Sequence, residues 1–275
     1  MKTNYHTHSV FCDGSATAEE MVLAGIDAGL DIIGLSAHAM WPYSSLWHLP
    51  AGDYGAYAAE VRRLQGVYGD SITVLLGFEA DYRPPLSVPT RDTYAQFAPD
   101  FLIGSVHYIA GGAFCVDAPA DDVGRGLADR YRGNGKDLVR DYYGAVRECL
   151  RTCDFDIMGH IDVVRKRNGQ IHFFDEGDSW YRDELEETAR AAAESAVIVE
   201  INTGGIARGA IDDVYPSGDF LSRLHAHGVP VMINSDAHVA RDITCAFDRA
   251  KKAAKDAGYT ETAYILGGKR FFTPL

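Results

Sequence analysis

A chain of 275 residues with 47 % hydrophobic content can build a sizeable core, as two average domains or as one α/β barrel of about 250 residues. Its formal net charge of −13 lacks the basic footprint that nucleic acid or an anionic membrane needs, and no run of about 18 apolar residues offers a membrane span. Met1–Tyr5 leads straight into a histidine pair, which leaves no room for a signal peptide. The five cysteines (Cys12, Cys115, Cys149, Cys153, Cys245) are an odd, scattered set that fits reduced thiols, so a cytoplasmic protein is expected.

Strand-like and helix-like patterns alternate along the chain. Lys2–Tyr5 reads as a strand ending in His6-Thr7-His8, with Asp13 in the loop beyond. Thr17-Ala18-Glu19-Glu20 is a capping box opening a helix through Ala28, and Gly29 closes it. Ile32–Ser36 leads to His38. The segment 39–52, rich in aromatics and proline, reads as a loop, and Asp53 caps a helix to about Tyr68. Ile72–Phe78 ends in Glu79, residues 90–97 form a short helix, and Phe101–Val106 ends in His107. Segment 110–135, rich in glycine and aspartate, reads as a second loop over the same face; long loops there usually shape a substrate pocket. Leu138, Tyr142, Val146 and Cys149 recur at helical spacing within 136–152, after which Phe155–Gly159 ends in His160. A helix over 181–196 precedes a sixth strand ending near Asn202. Another helix over 217–227 is stopped by Gly228 and Pro230, and Val229–Ser235 ends in Asp236-Ala237-His238. A last helix covers 243–257, and the tail Tyr264–Pro274 is extended around Gly267-Gly268.

Seven strand–helix units predict a parallel sheet with right-handed crossovers, in one domain over residues 1–275. In a barrel of parallel strands, residues at the carboxyl ends of different strands converge on one face. Nine potential ligands would then meet there: His6, His8, Asp13, His38, Glu79, His107, His160, Asp236 and His238. His6 and His8 alternate and so point to one side of their strand. His38, His107 and His160, each taken alone, read more simply as hydrogen-bonded core histidines. Their common position at strand ends, with none of the set in a helix, is what argues otherwise. Glu79 and Asp236 end apolar runs, where a buried carboxylate needs a partner. Imidazole and carboxylate without thiolate suit zinc, manganese or iron in an open site more than a closed structural zinc, and clustered divalent ions imply hydrolytic chemistry. The other four histidines do not follow strong apolar runs. His225 and His227 suit a helix C-terminus, His172 a turn, and His48 the aromatic loop, from which it could touch substrate.

The ordered segments His6-Thr7-His8…Asp13, Ser36-Ala37-His38, Gly77-Phe78-Glu79, Gly104-Ser105-Val106-His107, Gly159-His160 and Ser235-Asp236-Ala237-His238 resemble the polymerase-and-histidinol-phosphatase (PHP) superfamily over residues 4–240. Residues 159–166, 200–209 and 233–238 most resemble its histidinol-phosphatase branch. The resemblance implies a distorted, TIM-like (β/α)7 barrel with three divalent ions at the C-terminal face of the strands. The first ion would be held by His6, His8, Glu79 and Asp236. The second would share Glu79 and add His107 and His160, and the third would use Asp13, His38 and His238. Ala37 stands where the family carries an acidic residue.

Phosphoryl transfer needs positive charge around the transferring group. Arg165, in Arg165-Lys166-Arg167, and Arg208, in the glycine-rich turn after Asn202, are the expected phosphate contacts, with Arg167 as substitute for Arg165. Trp41, Tyr43, Phe114 and Asp117 are candidate contacts for the rest of the substrate. Asp236, His238 and Asp162 are candidates for protonating the leaving group. The expectation is therefore a phosphomonoesterase using a hydroxide shared by two metals, with histidinol phosphate as substrate. Another small phosphate or a short nucleotide is the alternative, and a metal-binding sensor a more distant one. The partner is a small phosphate monoester, with neither nucleic acid nor membrane.

Overall fold

The computed structural model describes residues 1–275. Seven parallel strands line up in sequence order: β1 (Thr3–Asn4), β2 (Ile32–Ala39), β3 (Thr73–Asp81), β4 (Phe101–Ser105), β5 (Ile157–Met158), β6 (Ile198–Asn202) and β7 (Val231–Asn234). The two edges meet above β1, where Thr7 and Ala237 form a parallel bridge and the His8 amide donates to the Ala237 carbonyl at 2.9 Å. The sheet is thus a nearly closed barrel, as the count of seven units predicts.

Seven longer helices flank it: α1 (Ala18–Asp27), α2 (Tyr54–Tyr68), α3 (Ala120–Tyr131), α4 (Gly135–Thr152), α5 (Ser179–Ser195), α6 (Gly218–Ala226) and α7 (Phe247–Asp256). The α1 capping box is present as read, Thr17 and Glu20 satisfying each other's amides. Asp53 precedes α2, but its side chain makes no capping hydrogen bond. Segment 110–135 is not wholly a loop. Tyr108–Ile109 pairs with Phe114–Cys115, and α3 follows, carrying Asp121 and Asp122 in its first turn. Gly124 and Gly126 mask that helix in the sequence, and Gly126 is there because a Cβ would lie 2.2 Å from the Phe114 ring.

Strands β2 and β3 are buried along almost their whole length, since helices cover one face and the barrel interior the other. Inside the barrel Tyr5, Ile32, Leu75, Phe101, Ile103, Ile157, Ile198 and Met232 form one cluster. The tail closes this end as the antiparallel hairpin β8 (Glu261–Leu266) and β9 (Lys269–Pro274), contributing Ala263 and Ile265. No helix is long and apolar enough to cross a membrane.

Candidate metal centre and cleft

With one end of the barrel filled by hydrocarbon, polar side chains collect at the other. Glu79 follows Gly77 by two residues and precedes Asp81 by two, so strand alternation turns all three inward. His6 and His8 do the same on the extension of β1, and Glu200 and Asn202 on β6.

Seen from the ligand atoms, the set falls into three groups. His6 Nε2 lies 3.1 Å from Glu79 Oε2 and 3.7 Å from Asp236 Oδ1, while His8 Nε2 lies 3.6 and 3.2 Å from the same two oxygens. Ligand atoms about 2.0–2.1 Å from a tetrahedral ion are about 3.3 Å apart, which these separations match. The second Glu79 oxygen, Oε1, lies 2.9 Å from His160 Nε2 and 3.6 Å from His107 Nε2, and those two nitrogens are 3.2 Å apart. Asp13 Oδ1 lies 3.5 Å from His38 Nε2 and 3.3 Å from His238 Nε2, with His8 closing the group. The ligand division expected from the resemblance therefore has matching geometry, Glu79 turning one oxygen to each of two groups. His6 Nε2 and His8 Nε2 are buried without any hydrogen-bond partner, as metal-ligating atoms would be, while Glu79 Oε2 also lies 2.6 Å from His38 Nδ1.

The backs of the rings are braced. His6 Nδ1 faces both oxygens of Glu200 at 3.1 and 2.9 Å, and His107 Nδ1 faces Asp81 Oδ1 at 2.5 Å. A carboxylate on Nδ1 fixes the tautomer that leaves Nε2 free to ligate. Glu200 also accepts from the His160 amide and from the Asn202 and Asn234 side chains, so no lone pair is wasted. Burial works to raise the Glu79 and Asp236 carboxyls, but His6 and His38 around Glu79, and Arg208 and His6 around Asp236, hold both well below the usual range. The same contest at Asp81, with burial opposed by His107 and His48, leaves its carboxyl at about 2. The Glu79 and Asp236 carboxyls therefore stay ionised at neutral pH, as ligands to divalent cations must be.

Six of the nine ligand residues line a cleft of about 400 Å³: Asp13, His38, His107, His160, Asp236 and His238. Arg208 lines it too. Its Nη2 meets Asp236 Oδ2 at 2.8 Å, and its Nη1 donates to the Asp236 carbonyl at 2.9 Å. Asp117 is on the wall as expected, paired with Lys166. Of the candidate proton donors, Asp236 and His238 line the cleft. Asp162 does not; it lies fully buried, accepting the Ser217 amide at 2.8 Å.

Several expected contacts fall elsewhere. Arg165 is turned away from the cleft: its guanidinium is spent on Glu176 at 2.7 Å, Asp213 at 2.8 Å and Asp162 at 3.4 Å. Arg167 donates to the Ala118 carbonyl and does not line the cleft either; Lys166, the residue between them, does. Trp41 packs its ring on Tyr54 and Phe97 beneath the loop, Tyr43 projects outward with 48 % exposure, and Phe114 is buried against α3. The aromatic wall is instead Trp47 and Tyr108, Trp47 standing edge-on to His38 and His107. His48 is buried behind it, joining Ser45 to Asp81. His172, His225 and His227 join no ligand group. Sequence reading missed Glu200, Asp81, Lys166 and Trp47. The first two carried a signal, since each is an acid at period-two spacing within an apolar strand.

A PHP-domain family model matches residues 4–204. A Deinococcus radiodurans protein named "Probable histidinol-phosphatase" is 28 % identical over 256 residues, 92 % of each chain. A Lactococcus lactis histidinol-phosphatase is 27 % identical over 290 residues, covering 98 % of this chain and 96 % of that one. The solved structure of histidinol phosphate phosphatase from Lactococcus lactis, complexed with zinc, L-histidinol and phosphate, superposes with a TM-score of 0.74 at 22 % identity, covering 98 % of both chains. A structure from Listeria monocytogenes superposes with a TM-score of 0.79 at 21 % identity, covering 90 % of this chain and 99 % of that one. At these identities the superpositions establish the shared fold.

Proposed function

The chain belongs to the PHP-domain family, and from that premise we propose that it is a metal-dependent phosphomonoesterase that hydrolyses L-histidinol phosphate to L-histidinol and phosphate. The observation that carries the reading is Glu79, whose two oxygens each face a separate set of histidine nitrogens in a cleft that also presents Arg208 and Lys166. Three divalent ions, of zinc, manganese or iron, fit the three ligand groups. When bound, such ions acidify water toward neutrality and neutralise phosphoryl oxygens.

The side chains do the rest. Arg208, held on Asp236 through Nη1 and Nη2, keeps further N–H donors on the cleft wall for phosphoryl oxygens. Lys166 adds a point charge in the same cleft, and its pairing with Asp117 balances that charge before substrate arrives. Trp47 and Tyr108 line the cleft and offer aromatic contact to an alcohol such as histidinol, and Asp117 offers a carboxylate to its amine. Asp236, held ionised, has no proton to give, so His238 on the same cleft wall is the proposed route for a proton to the departing oxygen. The names of the curated relatives, histidinol-phosphatases over nearly their whole length, support this substrate over a nucleotide.

A panel of phosphate monoesters tests it. Purified, metal-loaded protein should hydrolyse histidinol phosphate with a kcat/KM well above those for sugar phosphates and mononucleotides. Chelation should abolish turnover, and added manganese or zinc restore it. A nucleotide or sugar phosphate preferred by tenfold or more would overturn the substrate and leave only the phosphoesterase.

A further inference from the structure

Tyr215 is 1 % exposed, yet its side chain lines the cleft, and its hydroxyl has no hydrogen-bond partner in the protein. A buried hydroxyl without a partner is costly, so a fold that keeps one at a reaction cleft implies that something else completes it.

The surroundings say what. Tyr215 and Arg208 both lie across the Gly204-Gly205 turn: a Cβ on Gly204 would meet Arg208 Nη2 at 2.7 Å, and one on Gly205 would meet the Tyr215 hydroxyl at 2.9 Å. The two glycines thus keep room for two donors side by side on the rim of the barrel, and Lys166 lines the same cleft. The backbone that carries Tyr215 is fixed at every step. Its amide donates to the Asn202 carbonyl at 3.0 Å, and the Asn202 amide donates back at 2.6 Å. Arg165 grips the preceding residues, through the Asp213 carboxylate at 2.8 Å and the Val214 carbonyl at 3.2 Å. Asp162 holds the Ser217 amide behind it. Burial, followed by Asp117 and Asp162, raises the phenol well above its ordinary value, with Arg208 opposing. At neutral pH the group can only be an O–H.

We infer that the Tyr215 hydroxyl is a substrate contact that donates a hydrogen bond to a phosphoryl oxygen alongside Arg208, and that Arg165 is its positioning residue. The inference rests on the phosphatase reading. It also gives Arg165 a part in phosphate binding without contact: the guanidinium braces the segment that presents the phenol.

Inorganic phosphate binding to the metal-loaded enzyme, measured by calorimetry, is the direct test, because it does not depend on which alcohol is released. Tyr215→Phe removes one oxygen and leaves the ring. It should weaken phosphate by roughly 10–30-fold and lower kcat/KM for an aryl phosphate by a similar factor, consistent with a hydrogen bond to a charged acceptor. Metal content and melting temperature should match wild type. Arg165→Lys should weaken phosphate less, and should add nothing once Tyr215 is Phe. Phosphate affinity in Tyr215→Phe within twofold of wild type overturns the contact. So does a loss matched by lost metal or a lowered melting temperature, and full additivity overturns the positioning link. Wild-type protein that binds no phosphate would sink the phosphatase reading itself, a different outcome from binding that is indifferent to Tyr215.

Discussion

Glu79→Gln is the most informative single change, because one atom alters two ligand groups. Oε2 faces His6 and His8 at 3.1 and 3.6 Å, Oε1 faces His160 and His107 at 2.9 and 3.6 Å, and Ser105 donates to Oε1 at 2.8 Å. An amide keeps the shape but has one oxygen. If that oxygen stays with Ser105 and the His107–His160 pair, an NH₂ points at the first group; if it flips, the second group faces the NH₂. Either way one group loses its oxygen and both lose a full negative charge. A unit charge about 4 Å from another is worth about 4 kcal/mol at an effective dielectric near 20. Each ion should therefore bind on the order of 10³-fold more weakly. After dialysis against micromolar metal, elemental analysis should show more than one equivalent lost relative to wild type, and phosphatase activity should fall to background. A variant with the wild-type metal count and the same titration midpoints would refute the idea that this carboxylate bridges two ions.

Arg208→Ala should cost roughly 2–4 kcal/mol of transition-state stabilisation, seen as a 10²–10³ fall in kcat/KM, and lysine should restore only part of it. Because Arg208 also braces Asp236, a modest loss of metal affinity should accompany the kinetic defect; unchanged kinetics would show the arginine to be scaffold alone. Glu200→Gln, which leaves His6 Nδ1 facing an amide, should weaken metal by about 10–100-fold with the fold retained, and metal titration decides it. Asp162 carries a pH signature. Burial, opposed by Arg165, pushes its carboxyl up to about 6, so the folded state holds its proton more tightly than the unfolded chain does. The stability this adds is full below the unfolded value near 3.9 and is lost as pH rises through 6. Denaturant unfolding of wild type and Asp162→Asn from pH 4 to 7 should show wild type losing roughly 2 kcal/mol relative to the variant; a constant gap across that range would contradict it.

The convergence of the candidate metal ligands was legible in the sequence because strand order and chemistry coincide there. Each ligand ends, or closely follows, an apolar run, and a parallel barrel gathers all such ends on one rim whatever its loops do. Glu200 and Asp81 were legible by the same rule, since an acid at period two inside an apolar strand must face the interior and find a partner. The substrate wall obeys no comparable rule. Val163–Arg167 is a 3-10 turn, in which neighbouring residues point about a third of a turn apart, so Lys166 enters the cleft while Arg165 and Arg167 leave it. Nothing local selects Lys166. Arg165 is drawn off by Asp213, 48 positions along the chain, and Lys166 is drawn in by Asp117, on the segment preceding α3. Trp41 and Trp47 share one loop, and which of them meets the ligands depends on Phe97 taking the first and His48 stacking on the second. Phe114 was misplaced because α3, which buries it, is interrupted by two glycines that lower helix propensity by about 1 kcal/mol each. One of those glycines exists for the sake of the Phe114 ring. A packing constraint erased the pattern that would have announced it, and the same holds at Gly204-Gly205, where room for Arg208 and Tyr215 reads in sequence only as a flexible turn.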